Sequence, residues 1–375
     1  MREIMIKKAY AIVFLLGTMY VFVSFLENIS STQTFINPVQ ADMESAIESA
    51  FPQQTNIKEL YGFANKYATP NEIDRTVKDK DGYLKPLNWS KFNTDNAADK
   101  ISELRDVCNE NNVNFAYVSY PSKSDTANIG EIYGIDSNSE DMRSRFLDRL
   151  DEYGIEILNI RDQMEDAGLT RKDIFYKTDH HWNTKAGLFA ARSITQFLKN
   201  KGLKTVPENL DADRFTYKKY ENCWLGETGR KYSVTWVGSL DDFIVIKPNY
   251  ETSLDYIVPN GFEKSGDFSI LMNESVYGTD FDIYDTSLHY SYMPGAEANT
   301  IVKNHDLQDG AKILIIKDSF SMVVVPFLSL GCGEVNMWDM RDNEASLYEY
   351  IKNNDFDMVL VAYTDFFRND MYAFY

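Results

Sequence analysis

The chain has 375 residues, enough for one large α/β domain with a substantial buried core. Its formal charge of −19 argues against a nucleic-acid partner, because phosphate binding requires clustered Lys and Arg. The three cysteines, Cys108, Cys223 and Cys332, are far apart in the sequence. They therefore predict neither a disulfide framework nor a cysteine metal site, and we expect buried hydrophobic side chains, with one bridged pair as the alternative.

The N-terminus is predicted to anchor the chain in a membrane. An uncharged apolar run of 18 residues, Ala9 to Leu26, follows three basic residues, which is near the shortest length for a spanning helix. No Lys or Arg follows before Lys58, so the positive-inside rule places the remainder outside the cytoplasm. We expect a single-pass signal anchor at residues 1–26, a stalk at 27–56 and an extracytoplasmic domain at 57–375. A cleaved signal peptide and a buried core helix are the alternatives.

The remainder alternates between amphipathic helices and apolar strands. Apolar residues at helical spacing predict helices over residues 95–111, 137–153, 184–199 and 344–353. Apolar, β-prone runs predict strands over residues 113–120, 155–158, 313–316, 335–338 and 357–363. Strands that alternate with helices predict a parallel sheet with helices on both faces.

Residues 205–300 have a different character. They are rich in Tyr, Asp, Gly, Asn and Thr, with short β-like segments at 232–237 and 243–246. We interpret this region as an irregular, strand-rich insertion into the α/β domain.

A second feature is the segment from Tyr176 to Asn183, which holds two of only four histidines beside a carboxylate. His181 is the candidate general base, because an imidazole titrates near neutral pH. Asp179 is expected to orient the ring, which an i, i+2 spacing allows in an extended loop but not on a helix. His180 is the alternative base, since spacing does not separate the two. A polar capping loop with two exposed histidines is the non-catalytic alternative.

Ser319 is the candidate nucleophile. It follows an apolar strand and precedes the apolar run from Met322 to Leu328, which is expected to open as a helix. Ligands in such folds bind beyond the carboxyl ends of strands, and a helix N-terminus supplies backbone N–H groups for an oxyanion. The Ser319 N–H is one expected donor. The alternative is that Ser319 or Ser321 merely caps the helix.

Three further residues are expected to line the site. Lys123 follows a predicted strand and is expected to contact an anionic group or the oxyanion. Arg341 follows another and is expected to bind a substrate or to fix a loop carboxylate, and Asp318 directly precedes the serine. A solvated loop lysine is the alternative for Lys123. A two-metal phosphoesterase site would need further acidic motifs, and the loop after residue 120 offers only one acid. We therefore expect no metal and no cofactor.

These motifs resemble the DHHW family, which is similar to the SGNH hydrolase-like domains of alginate O-acetylation proteins. The resemblance lies in the segments Thr178–Trp182, Lys317–Phe320 and Val325–Leu328, supported by Leu60–Phe63, Asp79–Leu84, Trp338–Arg341 and Asp357–Val361. It spans roughly residues 57 to 370 in order. It implies a three-layer, flavodoxin-like α/β domain with permuted motif order and a catalytic triad of Ser319, His181 and Asp179. The usual SGNH glycine before the Asp-Ser pair is Lys317 here.

The resemblance also implies a function outside the membrane. Such domains act in O-acetylation of cell-surface polysaccharides, often beside a membrane-bound O-acyltransferase. We expect a serine-dependent O-acetyltransferase at the cell membrane. A carbohydrate esterase with the same triad is the first alternative. A non-catalytic polysaccharide-binding or assembly protein is the second, and Lys317 favours it.

Overall fold

A computed structural model describes residues 54–87, 92–124, 139–259, 261–277, 283–284, 286–296, 298–364 and 368–375. The predicted membrane anchor at residues 1–26 lies outside the described residues. Among the residues that are described, no helix combines the length and apolar character needed to cross a bilayer.

The chain alternates strands and helices, as predicted. In the described residues, strands β1 to β13 span, in chain order, Glu72–Ile73, Thr76–Lys78, Leu84–Pro86, Asn114–Tyr120, Ile157–Asn159, Phe215–Trp224, Asp241–Pro248, Leu254–Val258, Phe262–Gly266, Asn299–Asn304, Lys312–Lys317, Glu334–Trp338 and Met358–Thr364. Helices α1 to α10 span Gln54–Ala68, Thr94–Glu110, Ser139–Glu152, Ile160–Asp166, Arg171–Ile174, Thr184–Asn200, Glu227–Tyr232, Val234–Val237, Val325–Gly331 and Leu347–Lys352. The predicted helices and strands outside the 205–300 region are therefore confirmed to within a few residues.

The central sheet is mixed, so the prediction of a parallel sheet is only partly correct. Its spatial order is β5-β4-β13-β11-β12-β10-β8-β9. Strands β5, β4, β13, β11 and β12 pair in parallel, each with its neighbour in that order. The sheet continues by antiparallel pairing of β10 with β12, of β8 with β10 and of β9 with β8. β11 is buried along nearly its whole length, but β8 alternates between buried and partly exposed positions. Such alternation is typical of antiparallel strands and rare in parallel ones.

Helices cover both faces of the sheet and make three layers. Successive residues of β11 point to opposite faces. Ile313 and Ile315 belong to one hydrophobic core with α6 and α9, whereas Leu314 and Ile316 belong to a second core with α2 and α3. The predicted three-layer α/β arrangement is confirmed.

Two features of the 205–300 region follow from tertiary packing. Strands β6 and β7 form a separate antiparallel sheet, while β8, β9 and β10 join the main sheet. The β-like prediction for residues 232–237 is wrong, because the segment forms the end of α7 and all of α8. Trp236 and Val237 are buried in a small core with Ile73 and Leu84, so burial outweighs the local β-propensity. The three cysteines are buried and unpaired.

Candidate active site

Ser319 lies at the carboxyl end of β11, the edge at which ligands bind in open α/β sheets. It is the first residue of a 3-10 helix, Ser319–Val323, whose N-cap is Asp318. Asp318 Oδ1 accepts the Phe320 N–H at 2.9 Å. Asp318 Oδ2 accepts the backbone N–H and the hydroxyl of Thr364, each at 2.7 Å. The cap is therefore Asp318, and the Ser319 hydroxyl is left for another contact.

That contact is with His181. Its Nε2 lies 2.7 Å from Ser319 Oγ, and its Nδ1 lies 2.7 Å from Asp179 Oδ1. The structure therefore brings together the three residues that the sequence predicted, although 138 positions separate His181 from Ser319. His180 makes no such contact. Its Nδ1 is 3.7 Å from Asp179, and its ring is partly exposed. Of the two histidines, His181 has the geometry of a base for Ser319.

Asp179 is buried and accepts three hydrogen bonds. Oδ1 also accepts the His181 backbone N–H at 2.8 Å, and Oδ2 accepts the Glu227 N–H at 2.5 Å. Burial raises the pKa of Asp179, but the hydrogen bond from His181 outweighs burial and holds that pKa well below the ordinary value. Burial lowers the pKa of His181 well below its ordinary value. The resting pair is therefore a carboxylate and a neutral imidazole, the state that a general base requires.

Lys123 supports the extended loop that carries Asp179. Lys123 is only 1 % exposed. Its Nζ lies 2.8 Å from the Lys177 carbonyl oxygen and 2.7 Å from that of Asp179. Lys123 is therefore not the solvated loop lysine of the alternative, and its hydrogen bonds with these carbonyls support the loop. Burial lowers its pKa to about 7.

Asp241 and Trp182 support the same loop, a role that the sequence analysis assigned to neither. Asp241 accepts the backbone N–H groups of Lys177 and Thr178 at 2.6 and 2.7 Å, and the Thr178 hydroxyl at 2.6 Å. Trp182, predicted only as part of the motif, donates its indole N–H to the Phe320 carbonyl at 3.0 Å. No local sequence signal marks Asp241, because its partners lie 63 and 64 positions earlier. The hydrogen bond of the Trp182 indole connects the loop that carries Asp179 and His181 (the histidine loop) to the segment that carries Ser319.

Arg341 belongs to a buried ion network at the end of β12. Its guanidinium makes two bonds to Asp339, at 2.8 and 2.5 Å, and the Lys317 ammonium lies 2.5 Å from the same carboxylate. The hydrogen bonds and charges of both cations hold the pKa of Asp339 far below its ordinary value despite burial. Lys317, which replaces the SGNH glycine, is thus paired with Asp339 rather than with Ser319.

His289 and Tyr290 also lie at the site, although the sequence analysis assigned neither of them to it. His289 stacks on His181, with ring centroids 3.7 Å apart and an interplanar angle of 10°. Tyr290 lies edge-on to His181, with ring centroids 6.0 Å apart, and remains partly exposed. The only available signal was the scarcity of histidine, which makes each of the four a candidate for chemistry.

A cavity of about 550 Å³ opens above these residues. Its walls include Ser124, His180, Glu227, Tyr290, Ser319 and Arg341. Ligand atoms of Asp179, His180 and His181 lie within 4.8 Å of one another, as in a metal site. However, Asp179 Oδ1 and His181 Nδ1 are already bonded to each other. The arrangement is suited to proton transfer from a serine hydroxyl towards a substrate held in the cavity.

Comparisons with known proteins show which families the chain resembles. Residues 80–223 match the family model described as an SGNH hydrolase-like domain of the acetyltransferase AlgX, and residues 160–337 match that of the DHHW proteins. The second match contains both His181 and Ser319. No curated protein matches the chain.

Two solved structures share the fold. Bacillus cereus PatB1 with a sulfonyl adduct is 20 % identical, with a TM-score of 0.65 over 81 % of this chain and 98 % of that one. A DHHW family protein from Eubacterium siraeum is 18 % identical, with a TM-score of 0.59 over 79 % of this chain and 93 % of that one. The resemblance predicted from the sequence is confirmed: the chain is similar to DHHW proteins over residues 160–337 and to the SGNH hydrolase-like domain of AlgX over residues 80–223.

Proposed function

We propose that the chain is an extracytoplasmic, membrane-anchored acyltransferase that O-acetylates a cell-surface polysaccharide through Ser319, His181 and Asp179. The observation that carries the proposal is the continuous hydrogen-bonded path from the Ser319 hydroxyl through both nitrogens of His181 to Asp179. The match to a family model described as an acetyltransferase supports acetyl as the transferred group.

In the first half-reaction, Ser319 Oγ attacks the carbonyl carbon of an acetyl donor while His181 Nε2 takes the hydroxyl proton. Asp179 stabilises the imidazolium that forms. The bond between the acyl carbon and the donor then breaks, and His181 returns the proton to the leaving group. The Ser319 backbone N–H is the expected donor to the oxyanion. A membrane-bound O-acyltransferase is the expected source of the acetyl group.

In the second half-reaction, a glycan hydroxyl attacks the acetyl-serine carbonyl. His181 takes the proton of that hydroxyl, the new glycan ester forms, and His181 returns the proton to Ser319 Oγ as the acyl–serine bond breaks. The chemistry is symmetrical, so the same three residues serve both steps.

Hydrolysis of a glycan acetyl ester is the second candidate. Ser319 is partly exposed at the cavity, which gives water access to an acyl-serine. Water would then replace the glycan hydroxyl in the second half-reaction, with no change in the roles of the three residues.

The test begins with the full chain in detergent and a fluorophosphonate probe, which labels activated serines. We expect labelling of the wild type and of Ser321→Ala, and none of Ser319→Ala or His181→Ala. Ser321 is a matched control, because it is buried two residues away and contacts Tyr120 instead of His181. Equal labelling of Ser319→Ala and wild type would contradict the proposal, as would a folded wild type that is never labelled.

The choice between transfer and hydrolysis needs an acceptor. The wild type is incubated with 4-nitrophenyl acetate and a panel of oligosaccharides, and acetylated sugar and free acetate are both quantified. Acetylated sugar that is absent with Ser319→Ala would support transfer. Free acetate alone, with every acceptor, would move the assignment to an esterase.

A further inference from the structure

A third histidine lies against the proposed catalytic pair. His289 belongs to a 3-10 helix, Leu288–Ser291, and its side chain has no exposed surface. Its Nε2 lies 2.7 Å from the carbonyl oxygen of Ser319. Because a carbonyl oxygen only accepts hydrogen bonds, Nε2 must carry the hydrogen. The proposed nucleophile is therefore held by His289 through its backbone and by His181 through its hydroxyl.

The other nitrogen of His289 indicates the charge of the ring. Nδ1 is buried, and no described residue offers it a hydrogen bond. Protonation of Nδ1 would place an N–H group in the interior without an acceptor, which is unfavourable. With Nε2 as the donor and Nδ1 unprotonated, the ring is neutral.

The stacking geometry requires the same neutral state. The rings of His289 and His181 are nearly parallel, with centroids 3.7 Å apart. His181 becomes an imidazolium each time it takes the serine proton, and a second imidazolium at this distance would oppose that step. A neutral ring instead excludes water from one face of His181 and leaves its charge to be balanced by Asp179.

The surrounding charges are consistent with a neutral ring. Charged or titratable groups face His289 from the histidine loop, from the end of β11 and from its own helix: Asp179, His180, His181, Lys317 and Tyr290. Burial lowers the pKa of His289 to about 4, although the Asp179 carboxylate opposes the shift. His289 is therefore neutral near pH 7.

We propose that His289 is a positioning residue for the acyl transfer assigned to this site: it fixes the Ser319 peptide through Nε2–H and shields one face of His181. The inference rests on the proposed function. It implies two separable effects: the hydrogen bond determines the position of Ser319, and the ring limits the access of water to His181.

The test separates the two effects with paired variants of the full chain. His289→Phe keeps a ring over His181 but has no N–H for the Ser319 carbonyl. His289→Gln keeps an N–H donor but removes the ring. For each, the rate of fluorophosphonate labelling is measured from pH 4 to pH 8, with circular dichroism to confirm folding.

We expect His289→Phe to label roughly ten-fold more slowly, the size of effect that one lost hydrogen bond produces. Its acid limb, the part of the pH profile in which the labelling rate falls towards low pH, should stay at the wild-type pH. We expect the acid limb of His289→Gln to move to higher pH. Its cause is the water admitted beside His181, because burial is the main reason for the low pKa of that residue. A merely structural role would lower the unfolding temperature without moving the acid limb.

The inference would be overturned if folded His289→Phe and His289→Gln both matched the wild type in the labelling rate and in the pH of the acid limb. A lower rate with an unmoved acid limb in His289→Gln would overturn it too, because shielding would then be absent. Failure of the proposed function gives a different result, since the wild type itself would then show no Ser319-dependent labelling.

Discussion

A Cβ atom added to Gly226 would lie 2.4 Å from both the backbone nitrogen and the Cβ of Asp179. No real Cβ approaches backbone this closely, so the two segments meet only because residue 226 is a glycine. The close approach lets the next residue, Glu227, donate its N–H to the Asp179 carboxylate. A glycine 47 positions after Asp179 is thus part of the support for the proposed triad.

We expect Gly226→Ala to displace the Asp179 loop. The variant should lose about 1–3 kcal/mol of unfolding free energy, the usual cost of overpacking. Its fluorophosphonate labelling rate should fall at least roughly ten-fold. The measurements are urea unfolding and labelling kinetics. Gly266→Ala is the matched control, because a Cβ there meets only the γ2-methyl group of Ile270, away from the site in β9. Equal labelling of both variants would contradict the expectation.

A second prediction concerns the carboxylate itself. Asp179→Asn keeps the shape of the side chain but offers no negative charge to the His181 imidazolium. Labelling should fall on the order of 10⁴-fold, the loss that the same change causes in a Ser-His-Asp triad. The unfolding temperature should change far less. Asp242→Asn is the control, since that carboxylate pairs with Lys219 away from the site. A labelling rate within ten-fold of wild type would show that Asp179 is not the orienting carboxylate.

The indole of Trp182 provides a third test. Trp182→Phe removes the hydrogen bond to the Phe320 carbonyl, at a cost of about 1 kcal/mol. Trp224→Phe removes a comparable bond from another fully buried indole, to the Thr286 carbonyl at 3.3 Å. Both variants should lose similar stability in thermal unfolding, but only Trp182→Phe should label more slowly. Parallel loss of labelling in the two would mean that general destabilisation is the cause.

Lys123 predicts a particular dependence of stability on pH. Its folded-state pKa of about 7 lies below its ordinary value of 10.5 because the side chain is buried. Between these values the unfolded chain binds a proton that the folded chain does not, so stability rises with pH in this window. The slope is at most about 1.4 kcal/mol per pH unit. Below pH 7 the cost of burying the lysine is fully present.

The measurement is the free energy of unfolding in urea at several pH values from 7 to 9, for wild type and Lys123→Met. The difference between the two proteins isolates the lysine from other titrating groups. We expect the stability of wild type relative to Lys123→Met to increase over this range. Parallel curves would show that Lys123 keeps its proton when folded.

Local physics explains why much of the fold was predictable. The helix that begins at Thr184 has both an apolar stripe and an N-cap, Asn183, whose side chain accepts the Ala186 N–H at 3.0 Å. Both signals lie within a few residues of the helix, so they can be read without knowledge of the fold. Strand β11 was predictable for the same reason, because a run buried on both faces is apolar at every position.

The antiparallel edge of the sheet was not predictable in this way. Strands β8 and β10 resemble the strands of any small sheet. Only tertiary structure decides that β10 pairs with the edge of β12 and that β8 pairs with β10. Residues 232–237 became helical because Trp236 has a small core to fill. In both cases a long-range contact supplied more free energy than local propensity.

The sequence by itself determined the pieces of the candidate site whose partners lie close along the chain. Asp179 and His181 are two residues apart, and Asp318 caps the turn that carries Ser319. Tertiary structure alone decided that His181 meets Ser319, that Gly226 admits the Glu227 N–H to Asp179, and that His289 stacks on the base. These contacts join residues 30 to 138 positions apart. Such distances are closed by the packing of whole helices and strands, which no local pattern encodes.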